Sequence, residues 1–102
     1  MNVSNVLESQ SWFSVLQTAE RAQTAVMSIG PGEASGAKEN EHPDSEQVLY
    51  VIEGELVAEI GERSFIMHAG DSTIVRRNVP HRFTNRGERA ALTFNVYAPP
   101  AY

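Results

Sequence analysis

From residue 11 onward, apolar runs of four to eight residues alternate with glycine, proline or polar clusters. Residues 11–18 (SWFSVLQT) and 22–29 (AQTAVMSI) are β-prone runs parted by Ala19–Arg21, the first also compatible with one turn of helix. Ile29–Gly36 concentrates Gly, Pro and Ser and reads as a loop. Val48–Ile52 is a continuous apolar run with β-branched and aromatic members, the pattern of a strand buried on both faces. A bend at Glu53–Gly54–Glu55 leads into Leu56–Ile60, and Gly61–Glu62–Arg63 makes a hairpin into Ser64–Met67. Ala69–Gly70–Asp71 turns into Ser72–Val75, and Arg77–Pro80 turns again, with Asn78 able to take a left-handed conformation. His81–Thr84 and Ala91–Tyr97 supply the last strands, split by Asn85–Glu88. Pro99 and Pro100 cannot donate ladder hydrogen bonds, so regular structure should stop at about Ala98. Eight or nine strands, turn signals about every eight to twelve residues and no long amphipathic helix predict an all-β antiparallel sandwich or barrel.

Composition narrows the function classes. A chain of 102 residues, 41 % hydrophobic and 21 % charged, is expected to form one domain over 1–102 with its own core, burying roughly 60–70 % of its unfolded surface. The net charge of −5 argues against nucleic acid, whose phosphates call for a basic balance. Having no cysteine excludes disulfides, thiolate catalysis and zinc–thiolate sites. MNVSNVLESQ lacks the basic and apolar regions of a signal peptide, and no apolar run reaches membrane-spanning length. A soluble cytoplasmic protein without a membrane partner is the expectation.

The candidate chemistry lies around Asn40–Gly54 and at His81, in VPHRF. Metal-binding side chains beside an apolar strand need a rigid scaffold and a cation or substrate to satisfy them once buried. Asn40 and His42 stand two apart and face one side of an extended chain. A second register is open: His42, Asp44 and Glu46 share parity and would give a better-charged site with His81. Against it, Pro43–Asp44–Ser45 is a turn signature that puts Asp44 at a hairpin tip.

Over Met27–Tyr97 the chain resembles the cupins, small jelly-roll β-barrels (double-stranded β-helices) with two motifs, G(X)5HXH(X)3-4E(X)6G and G(X)5PXG(X)2H(X)3N. The second motif fits in spacing through Gly70, Arg76, Asn78, His81 and Asn85, with Arg76 replacing its proline and Asn78 its internal glycine. YVIEGE and AGD are also segments of the kind this family shows. Counting back from Gly54, the first motif places Gln47 where a glutamate ligand is usual, His42 at the second histidine and Asn40 at the first. The resemblance therefore implies a degenerate metal site of His42, His81, Gln47 and Asn40, for a divalent transition metal (Fe, Mn, Ni, Zn or Cu) at low occupancy. Imidazole suits such ions, whereas neutral amide oxygens add no charge, so affinity should fall. Gln47 has a second role open to it, a hydrogen bond that fixes a histidine tautomer.

Arg76, Arg77, Arg82, Arg86 and Arg89 read as a solvated face, although Arg76 at the barrel mouth would bind a substrate carboxylate or phosphate. His68 reads as a surface histidine, and Met27 and Met67 as core fillers. The resemblance implies a small-molecule-binding protein, either a metal-dependent oxygenase, isomerase or lyase of a small polar substrate, or a metal-poor or metal-free sensor without catalysis. Trp12, Phe13, Val15 and Leu16 give the amino-terminal strand more apolar surface than a peripheral strand usually leaves in water, and predict a homodimer.

Overall fold

The computed structural model describes residues 3–8, 12–36, 38 and 42–102. Among them, a short 3-10 turn at Val6–Glu8 precedes eight strands: β1 (Phe13–Thr18), β2 (Gln23–Ile29), β3 (Glu46–Glu53), β4 (Glu55–Ile60), β5 (Arg63–His68), β6 (Ser72–Val75), β7 (His81–Thr84) and β8 (Ala91–Ala98). The strands form two antiparallel sheets, one in the order β1-β2-β8-β3-β6 and one in the order β5-β4-β7, and make a jelly-roll barrel. The first apolar run is a strand, not a helical turn.

Met27, Ile29, Leu49, Val51, Leu56, Ala58, Met67, Val75, Phe83 and Ala91 form the core between the sheets. Fully burying a large apolar side chain stabilises by about 1.5–3 kcal/mol, so this cluster is the main driving term. Val48–Ile52 is not buried on both faces as its composition suggested. Leu49 and Val51 are buried while Val48 is 37 % and Tyr50 43 % exposed, because among the described residues no layer covers the outer face of this sheet. A bulge between Val51 and Glu53 then shifts the pairing of β3 with β8.

Turn chemistry fits the backbone. Gly54 has φ +87°, and a Cβ there would meet the Ala91 Cα at 2.9 Å and the Ala90 carbonyl oxygen at 3.0 Å, so only glycine allows β8 to pass this closely. Asn78 takes the left-handed conformation with φ 64°. The Ala98–Pro99 bond after β8 is cis, and the tail beyond it lies against β2. There the buried Gln23 side chain accepts from the Ala101 and Tyr102 N–H groups at 3.1 and 2.9 Å and donates to the Tyr102 carbonyl at 2.7 Å.

Candidate functional site

Local structure sets each polar side chain. Pro43–Asp44 forms the turn before β3, closed by the Ser45 N–H donating to the His42 carbonyl at 3.1 Å, and this folds the His42 ring inward. Gln47 lies on β3 opposite Val75 and Tyr97, on the inward-facing parity. His81 opens β7 opposite Ile60, with its Nδ1 held 2.9 Å from the Val79 carbonyl. The two imidazoles come together with ring centroids 4.5 Å apart, and Tyr97 packs edge-on against His42 at 5.2 Å. His42, Gln47 and His81 are all buried.

Gln47 also closes a chain of buried hydrogen bonds. Thr93 Oγ1 donates to the Met27 carbonyl at 3.0 Å, Asn95 Nδ2 donates to Thr93 Oγ1 at 3.0 Å, and Gln47 Nε2 donates to Asn95 Oδ1 at 2.9 Å. The Gln47 Oε1 is thereby left facing His42 Nε2 at 2.9 Å. On its other side, His42 Nδ1 lies 3.2 Å from the Ser45 carbonyl. A neutral imidazole owns one N–H, yet this ring meets an acceptor oxygen at each nitrogen. One of the two contacts is therefore made without a proton between its atoms. His81, with Nδ1 donating to Val79, keeps its Nε2 lone pair and has no hydrogen-bond partner there among the described residues. Burial lowers its pKa, the Val79 hydrogen bond opposes this, and His42 adds a further lowering, so the ring is neutral around pH 7.

The polar cluster lines part of the wall of a cavity of about 330 Å³. Trp12, Phe13, Met27, Phe83, Tyr97 and Tyr102 make the rest of it largely aromatic, and Ser35 adds a hydroxyl. Of the residues singled out from the sequence, the structure brings His42, His81 and Gln47 together, while Asn40 lies outside the described residues. Arg76 does not reach the cavity: Val75 takes the inward position at the end of β6 and Arg76 is left exposed. Asp44 and Glu46 are likewise exposed, which removes the better-charged register. His68 is exposed beside Glu55 at 3.3 Å. Met67 fills the core, whereas Met27 does so and also lines the cavity. Arg82 pairs with Glu59 at 2.8 Å, and the other four arginines are exposed. Thr93, Asn95 and Tyr97 went unnoticed in the sequence, although their spacing of two on an inward-facing strand was the available signal.

A family model described as a cupin domain matches residues 25–97. The chain belongs to the cupin family. This cupin is 34 % identical over 73 residues to the tetracenomycin polyketide synthase protein TcmJ of Streptomyces glaucescens, covering 72 % of this chain and 48 % of that protein. It is 34 % identical over 67 residues to the polyketide synthase CurC of Streptomyces cyaneus, covering 65 % of this chain and 42 % of that protein. The cupin thus spans less than half the length of these curated relatives. The solved structure of BH2720 from Bacillus halodurans superposes with a TM-score of 0.87 at 24 % identity, covering 95 % of this chain and 76 % of that one, a likeness of fold.

Among the described residues no three His, Cys, Asp or Glu side chains converge as a metal-binding group. The donors present are two imidazoles and an amide oxygen. They fit a divalent cation in one specific respect: each Nδ1 lies beside a backbone carbonyl, which for His81 leaves Nε2 for a metal, and in the His42 tautomer with its proton on Nδ1 a cation would fit between the Nε2 lone pair and the Gln47 oxygen. With no carboxylate in this set, the fit is that of a weak site.

Proposed function

We propose that this cupin binds a small, flat, mainly apolar molecule carrying hydroxyl or carbonyl groups at one end, in a site where His42, His81 and Gln47 hold a divalent transition metal. The observation that carries the reading is the convergence of these side chains in the wall of a cavity whose other residues are largely aromatic. Such walls favour an unsaturated ring system over the small polar substrate that the sequence suggested. The two relatives named for polyketide synthases make a polyketide-type molecule the ligand class of choice. Bound metal would act as a Lewis acid, polarising an oxygen of the ligand. The chain's own part is to stack the ligand on Phe83 and Tyr97 and to orient both imidazoles through the Val79 and Ser45 carbonyls.

Trp12 is the single tryptophan and lines the cavity, so its fluorescence reports binding. Titration with a hydroxylated polycyclic aromatic should change that emission saturably, and sugar phosphates should leave it unchanged. The opposite preference would overturn the ligand class. His42→Ala or His81→Ala should abolish metal uptake measured by elemental analysis, because one imidazole and a neutral oxygen are too weak a set.

A metal-free binder is the second reading, favoured by the neutral donor set and by His81 Nε2, which can accept a hydrogen bond from a ligand hydroxyl directly. Untagged protein that takes up no metal after soaking, yet still binds the aromatic, decides for it. In either case we propose that the protein works as a homodimer joined along β1, an edge strand with exposed apolar side chains.

A further inference from the structure

We infer that Thr93 and Asn95 are positioning residues that hold the oxygen of the Gln47 amide, and not its NH2, toward His42; the inference rests on reading His42, His81 and Gln47 as the metal-holding set. The two ends of a glutamine amide are nearly alike in shape, so packing alone would admit either orientation. Only one end can bind a cation. The choice is made at Met27, two strands away. Its carbonyl can only accept, so the single Thr93 hydroxyl proton is committed to it. Thr93 Oγ1 must then accept from Asn95 Nδ2, Asn95 presents Oδ1 to Gln47 Nε2, and Gln47 is left with Oε1 toward His42.

The sheet makes this relay rigid. Thr93 sits opposite Met27 in the ladder, Asn95 follows two residues along β8 on the same inner face, and Gln47 reaches Asn95 from the neighbouring row of β3. Thr93 and Asn95 are both fully buried, so solvent does not compete for their bonds. Turning Gln47 over would set its oxygen against Asn95 Oδ1. Asn95 and then Thr93 would have to turn as well, which breaks the Thr93–Met27 bond.

The test is a cobalt(II) titration of the full chain, read by visible absorption and by the dissociation constant, for the natural protein, Thr93→Val, Thr93→Ser and Gln47→Leu. Thr93→Val keeps the shape and removes the proton that sets the polarity. It should weaken cobalt binding by about tenfold or more and shift the absorption bands as an oxygen donor is lost. Thr93→Ser, which keeps the hydroxyl, should restore both to about the natural values. Thr93→Val should cost nothing further in the Gln47→Leu background, because the relay acts only through Gln47. Unchanged affinity and spectrum in Thr93→Val, or a full-sized effect that persists with Leu at position 47, overturns the proposal.

A second measurement does not depend on metal. In nitrogen–proton spectra the side-chain NH2 of Gln47 should exchange slowly in the natural protein and in Thr93→Ser, and rapidly in Thr93→Val. If natural protein takes up no cobalt, the metal reading fails by itself, and these amide signals still decide whether the relay holds Gln47. Equal exchange in all three proteins refutes the relay.

Discussion

Gln47 is the residue at which this cupin most depends on a choice between neutral and charged chemistry. Gln47→Glu adds charge and a stronger donor beside the His42 imidazole, so divalent-metal affinity should rise on the order of tenfold by calorimetry. The same carboxylate faces Asn95 Oδ1 inside the barrel, so without metal the variant should lose about 1–3 kcal/mol by urea denaturation. Unchanged metal affinity would mean that Gln47 is no ligand. His81 carries the pH dependence. Because burial holds its pKa below the usual 6.5, the unfolded chain takes up this proton more readily than the folded one. The contribution is intact above pH 6.5 and is lost as pH falls toward the lowered folded value. The urea midpoint should therefore drop between about pH 7.5 and about pH 5, and drop less in His81→Gln. Equal drops in the two proteins would show that another group titrates.

The alternation along β3 separates two neighbouring positions of similar chemistry. Leu49 is fully buried, and Leu49→Ala should cost about 2–5 kcal/mol. Val48 is 37 % exposed, and Val48→Thr should stay within about 0.5 kcal/mol of the natural protein. Similar losses at both positions would mean that the outer face is covered in solution. Where β3 ends, Gly54→Ala combines a positive φ with a Cβ pressed on the Ala91 backbone. A loss of about 1–3 kcal/mol is expected at unchanged denaturant slope, since the strain is local.

At the scale of the whole molecule, the five-stranded sheet ends on β1, whose outer edge has no strand beside it among the described residues. Trp12 is 60 % and Val15 42 % exposed there, an apolar edge of the kind that pairs with another copy. Light scattering at micromolar concentration should give twice the 11.2 kDa chain mass. A monomer mass would remove the dimer.

Strand positions, most turns and the count from Gly54 through Gln47 to His42 were legible in the sequence. Period-two alternation, glycine and proline are local signals, and they survive without knowledge of any neighbour. The left-handed Asn78 and the end of β8 at Ala98 belong to this class. What alternation cannot state is which strands lie side by side. That β8 runs between β2 and β3 brings Thr93 to Met27 and Asn95 to Gln47, contacts across 66 and 48 residues of chain. The same folding brought β1 and the returning tail to the cavity, lined it largely with aromatic rings, and left Arg76 outside. A residue's face follows from its own strand, whereas its partner follows from the order of strands in the sheet, and only the tertiary structure decides that order.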